Sequence, residues 1–405
     1  MKRSPLAVPL VGALAALMLT ACGGGAGSGT ASPGYRVLYA FGAGTSPQDP
    51  AAGVIEGSDG TLYGVTQQGL HKNFGAVYSL DPASGRLSVL ASFGANGTEQ
   101  MPSETLVSDS AGNLYGTTQN GGKGGLGTVF EIDATTHLET VLHAFTGGAA
   151  DGATPSSPLL IDAHGNLLGT TSAGGPDDGG TLFEISPQHI ETILYAFGPE
   201  GAGNPRGPTG ALALDSTGKL YGSTRYGGSA NLGAVYVFTP GAGTAPGTVK
   251  VLHSFAGGAD GAEPWGGVVF DAAHTTLYGT TTAGGTADQG TVFACPLDGS
   301  GARVLYAFKA SGSGDGALPR GSLAIDNAGM LYGTTMYGGS DDRGTVFSLD
   351  PSSATETVLH SFAGQAGGDG DRPIGDLLID SAGQLVGTTI MGGANDYGTV
   401  FTLPR

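Results

Sequence analysis

From residue 35 onward the chain alternates short apolar runs with Gly-rich or Asp-Gly turns, and no stretch keeps the three-to-four-residue apolar spacing of a helix. Residues 156–197 show the unit. An apolar run at 159–161 is followed by Asp162-Ala163-His164-Gly165, a turn whose Asp can bond its own backbone and whose Gly accepts φ > 0. A Thr-rich run at 167–171, a Gly-rich loop to Gly180, and runs at 181–185 and 191–197 complete it. Thr and aromatic residues in such runs suit a pleated strand, so the unit predicts four short antiparallel strands.

The unit recurs. Its phrase Leu-Tyr-Gly-Thr-Thr, or a close variant, places a Gly at 64, 116, 169, 222, 279, 333 and 387, each followed by Gly-Thr-Val-Phe or a relative of it. The shortest step, from Gly64 to Gly116, is 52 residues and the longest, from Gly222 to Gly279, is 57. A nearly fixed period of this size marks a repeat architecture. Four short strands per repeat predict an all-β chain folded as a seven-bladed β-propeller of four-stranded antiparallel blades.

The ends predict how the ring closes. Val37-Leu38-Tyr39-Ala40-Phe41 matches the last run of a repeat, whereas the chain finishes on Gly398-Thr399-Val400-Phe401, a third strand with no fourth after it. Residues 35–41 are therefore expected to complete the seventh blade, closing the ring.

The phrases Gly-Asn-Leu-Tyr-Gly-Thr-Thr (112–118), the Gly-Gly pairs followed by Gly-Thr-Val-Phe, and Val-Leu-His-Ser-Phe (251–255, 358–362) resemble the GloVer (Gloeo/Verruco) tandem-repeat family across residues 35–405. That resemblance implies a secreted or envelope-anchored bacterial repeat protein, with no catalytic residues to carry over.

The amino terminus bears on location. Lys2 and Arg3, an apolar stretch from Leu6 to Leu19, and Leu19-Thr20-Ala21-Cys22 predict a lipoprotein signal peptide over residues 1–21. Cleavage before Cys22 would leave that thiol to carry lipid, and several acyl chains anchor stably. Residues 22–34 then form the lipidated Cys and a Gly/Ser-rich tether, residues 35–405 the propeller. Gly23 after the Cys favours the outer membrane of a Gram-negative envelope, on its periplasmic or its surface side. Cys295 stands where sister repeats have Ile or Leu, so it reads as a small buried thiol without a disulfide partner.

The formal charge of −18 becomes −20 once Lys2 and Arg3 leave. No basic stripe exists to neutralise phosphates, which argues against nucleic-acid binding. The acidic residues gather on one face of the expected ring: Asp49, Glu99, Asp151, Glu200, Asp260, Asp315 and Asp369 in the blade-to-blade links, and Asp177, Asp178, Asp288, Asp341, Asp342 and Asp396 in the second-to-third loops. No loop has the alternating acidic spacing of a calcium site, so these read as solvated turn residues, and neither metal nor cofactor is expected. The same face presents Trp265, Tyr226, Tyr337, Phe74 and Tyr397, aromatics suited to stacking on a sugar or holding a peptide.

Catalysis in a propeller would need ionisable groups at the channel mouth. At the aligned inner-strand positions only Glu104 and Asp376 are ionisable, without His or Arg beside them at those positions. They are candidates for an acid/base pair. His143, His253 and His360 fall on outermost strands a blade or more apart, too far apart to share a metal. The expected function is a non-catalytic binding or interaction module for carbohydrate or an envelope protein. The alternatives are a polysaccharide hydrolase or lyase at the channel mouth, and an envelope scaffold.

Overall fold

The computed structural model describes residues 34–405 except 45, 70–73, 95–98, 202, 244 and 310–311. Seven antiparallel sheets form the ring, each running from an inner strand at the channel to an outer strand at the rim. Blade three is typical: an inner strand in two pieces (Gly152–Pro155 and Leu160–Ile161), then Leu167–Gly174, Thr181–Ile185 and Glu191–Ala196. Arg36–Ala40 pairs antiparallel with Thr399–Pro404 and completes the seventh blade. The chain is an all-β seven-bladed propeller closed by its amino-terminal strand.

The recurring phrase is explained by contacts between blades. Each outer strand ends in a Phe (41, 93, 145, 197, 255, 308, 362) that is fully buried. Each such ring meets a third-strand ring of the next blade edge-on: Phe145 meets Phe183, and Phe41 meets Tyr78. The seven pairs keep centroid distances of 5.1 to 5.5 Å around the circle. The third-strand ring also lies beneath the Gly of Leu-Tyr-Gly-Thr-Thr: a Cβ on Gly169 would come within 2.6 Å of Phe183, so only Gly fits. The second Thr of that phrase pairs with the Thr of Gly-Thr-Val-Phe, buried hydroxyl to buried hydroxyl, as in Thr281–Thr291 at 2.7 Å.

The inner strand begins earlier than the apolar run predicts, because a Pro breaks it. In every blade a residue with positive φ precedes that Pro: Asp49, Met101, Thr154, Gly207, Glu263, Leu318 and Arg372, with φ between 54° and 60°. For the six that are not Gly this backbone region costs roughly 1–2 kcal/mol each. Neighbouring blades hold the kink in place. Thr154 donates its N–H to the Leu126 carbonyl, Leu318 to Gln289 and Arg372 to Arg343. The following Pro packs on the Gly of the preceding blade's Gly-Thr-Val-Phe, where a Cβ on Gly127 would strike Pro155 at 2.5 Å. The kink aims the next few side chains at the channel mouth.

Candidate functional site

Immediately after the Pro, the chain turns its side chains inward. Ala51, Ser103, Ser156, Trp265, Arg320 and Ile374 occupy this one position in six blades, and all line a cavity of about 290 Å³ at the channel mouth, to which blade four adds Gly210. Glu104 and Asp376 line it too, so the structure brings the two candidate carboxylates to one cavity. Their roles differ. Asp376 Oδ1 accepts the Ser322 N–H at 2.6 Å and Oδ2 the Thr105 hydroxyl at 3.4 Å. Thr105 Oγ1 in turn accepts the Gly53 N–H, and Ser322 Oγ the Gly267 N–H. Asp376 is thus the centre of a hydrogen-bond chain tying blades seven, six, five, two and one across the channel. Burial raises its pKa, opposed by the bonds from Ser322 and Thr105.

Among the described residues Glu104 accepts only the Ser103 hydroxyl, at 3.1 Å. Burial pushes its pKa up to about 7; the Ser103 bond opposes this and the charge of Asp376 adds to it. A carboxyl that titrates there can donate or accept a proton at neutral pH.

The predicted aromatics separate into two sets. Phe74 and Tyr397 are packed into the cores between blades, against Phe93 and Phe41 among others. Trp265 lines the cavity, with the Arg225 guanidinium 4.2 Å and the Arg320 guanidinium 4.9 Å from its ring centroid. Arg225 also lies over Tyr226, 41% exposed, at 5.0 Å. Tyr337 has Arg372 over it at 5.5 Å. Arg225 is fixed by Glu263, whose Oε2 accepts from its Nε at 3.1 Å and its Nη2 at 2.9 Å. Each cation–π contact contributes about 0.5–2 kcal/mol, more where water is excluded. Sequence reasoning missed these arginines. For Arg320 the available signal was the position after the repeated Pro, which it shares with Trp265. Cys22 lies outside the described residues.

The acidic face is less solvated than expected. Asp151, Asp315 and Asp369 are each 7% exposed. They turn inward because each accepts backbone N–H groups in its own turn and a side chain of the preceding outer strand: His143 at 3.3 Å, Tyr306 at 2.7 Å, His360 at 2.9 Å. His253 meets Asp260 in the same way. His143, Asp151 and Glu191 offer ligand atoms within 4.8 Å of one another, the spacing of a metal group. The His–Asp pair recurs at His360–Asp369, where Tyr35 takes the place of Glu191 and stacks on His360, so the pattern is a repeated bond between blades. The connection between the third and outer strands of blade four, Ala234–Thr239 and Thr248–Ser254, borders a second cavity. Gly241, Ala245 and Pro246 wall this cavity of about 860 Å³ with Leu194, Leu214 and Phe238 between blades three and four.

The sequence matches the Gloeobacter/Verrucomicrobia repeat over residues 15–236 and again over 207–404. Among curated proteins nothing matches it in sequence. Solved structures share the fold at low identity. A Bacteroides uniformis protein described as a 6-phosphogluconolactonase superposes with a TM-score of 0.51 at 16% identity, covering 78% of this chain and 86% of that one. Its counterpart from Bacteroides fragilis gives 0.50 at 17% identity, over 80% and 86%. The extracellular domain of a hybrid two-component system from B. thetaiotaomicron gives 0.56 at 12% identity, covering 92% of this chain and 41% of that one. No helix among the described residues is long and apolar enough to cross a membrane.

Proposed function

For a chain that belongs to the Gloeobacter/Verrucomicrobia repeat family, we propose a lipid-anchored envelope protein whose propeller is a non-catalytic binding module. Cys22 is the proposed site of lipid attachment at the outer membrane, after removal of residues 1–21, and carbohydrate or an envelope protein is the partner class. The ligand surface is the channel mouth around Trp265, with Tyr226 and Tyr337 on its margin. One observation carries this reading: all seven blades converge on one cavity, and its large aromatic is the chain's single Trp. Asp376 supports binding over catalysis. Its oxygens are spent on a backbone N–H and a hydroxyl, which suits a strut better than a nucleophile or base.

A glycan array probed with the protein and with Trp265→Ala tests the reading. Binding to one glycan class that falls by about 1–3 kcal/mol in the variant supports it. A blank array, with captured envelope proteins indifferent to the same variant, refutes it. A second reading, hydrolysis or lysis of a polysaccharide, is favoured by the titration of Glu104 near neutrality. It requires turnover that disappears in Glu104→Gln.

A further inference from the structure

Arg320 is a half-buried cation with no carboxylate within 4.0 Å among the described residues. Arg206, Arg225 and Arg372 are comparably exposed, and each lies within 4.0 Å of a Glu or Asp oxygen. Arg320 lines the mouth cavity, forms no ion pair among the described residues, and keeps its Nε buried without a hydrogen-bond partner. Burial draws its pKa below the ordinary guanidinium value and the neighbouring Arg225 charge adds to this, with Tyr337 and Glu263, which is already bonded to Arg225, opposing it only in part. The chain has 34 acidic against 16 basic residues, so a carboxylate to neutralise Arg320 was readily available. An unpaired, partly dehydrated cation lowers stability unless something completes it.

We infer that the mouth cavity takes a sugar ring bearing a carboxylate, with Arg320 holding the carboxylate and Trp265 the face or edge of the ring. The inference rests on the binding-module reading above. A guanidinium matches a planar carboxylate through parallel N–H donors, which a neutral hydroxyl cannot exploit. A cavity of about 290 Å³ is at the small end of ligand sites and suits one ring with part of a second. Ser103, Ser156 and Gln119 supply hydroxyl and amide partners for ring hydroxyls. The charges also fit a single negative group. One guanidinium is unpaired, Arg225 is satisfied by Glu263, and Asp376 is bonded within the floor. Glu104 remains the group that opposes an anion, and it does so only once ionised.

Calorimetric titration of the full-length protein in a sugar-free detergent tests this, with trigalacturonic acid and its methyl ester as probes. The ester keeps ring and hydroxyls but carries no charge. The acid should bind at least tenfold tighter than the ester at pH 6. Arg320→Gln should bring the two probes level, and Arg320→Lys should retain part of the difference, with circular dichroism confirming the fold of each. The acid's advantage should shrink several-fold by pH 8 as Glu104 ionises, and Glu104→Gln should remove that pH dependence. Equal binding of acid and ester, lost together in Trp265→Ala, would overturn the inference and leave the binding module standing. Binding of neither probe, alongside a different ligand sensitive to Trp265→Ala, would overturn it as well. Absence of any ligand would remove both readings.

Discussion

Replacing Phe41 by Ala tests the closure of the ring where it is most exposed to failure. Phe41 is fully buried and meets Tyr78 edge-on at 5.5 Å, as Phe145 meets Phe183 at 5.2 Å within a continuous stretch of chain. Truncating a buried Phe costs about 3–5 kcal/mol. The edge-to-face pair accounts for about 0.5–1.5 kcal/mol of that. Phe41→Ala and Phe145→Ala should therefore lower global stability by similar amounts in urea, followed by Trp265 emission. They should differ locally. Among the described residues the strand before Phe41 continues into the fold only at its Phe41 end, so its opening feels the whole loss. A loss of 3–5 kcal/mol accelerates exchange by roughly two to three and a half powers of ten. Hydrogen–deuterium exchange over residues 36–40 and 399–403 should speed up by that order in Phe41→Ala and little in Phe145→Ala. Unchanged exchange at the seam, or a global cost below about 1 kcal/mol, would refute the account of closure.

Two further outcomes follow from buried polar groups. Thr281 Oγ1 donates to the Ala283 carbonyl at 2.9 Å and contacts Thr291 Oγ1 at 2.7 Å. Thr291→Ala leaves Thr281 satisfied and should cost about 1 kcal/mol, whereas Thr281→Ala strands the Thr291 hydroxyl and should cost about 2; thermal denaturation showing the reverse order would contradict the assignment. Glu104, Glu191 and Glu356 are each raised from 4.5 to about 7, first by burial, with Asp376, Asp151 and Asp315 adding their charges. Between those values the unfolded chain has released protons that the folded chain keeps, so stability should fall as pH rises from about 4.5 to 7 and level off above. Urea midpoints at pH 5 and pH 7.5 check this, and replacing all three by Gln should flatten the profile; a midpoint that climbs over that range contradicts it.

The architecture was legible because its repeated residues serve contacts that every blade must make. The Gly above a third-strand ring, the Gly against the next Pro and the outer Phe cannot vary without breaking a junction, so they print a period on the sequence. The mouth was only partly legible. Trp265 attracts notice by its rarity, but Arg320 follows a Pro at a position whose occupants include Ala51, Ser103 and Ile374. No shared chemistry marks that position, and only the kink before the Pro shows where it points. The acidic links illustrate the opposite failure. Their charge was plain, but whether Asp369 faced water or His360 depended on the outer strand beside it. Tyr35, half-buried between His360 and Phe401, likewise gave no sign of its contacts in the local sequence.

The seam also sets where the amino terminus leaves the ring. Gly34 sits against Pro404, at the far end of the last blade from Gly398, whose carbonyl accepts the Phe41 N–H beside the Gly-rich loops. Whatever precedes Gly34 thus joins the rim behind the ring, away from the cavity. Were that segment the lipid anchor proposed above, the mouth would be free to turn outward, open to a polymer too bulky to slip between the ring and the surface beneath it.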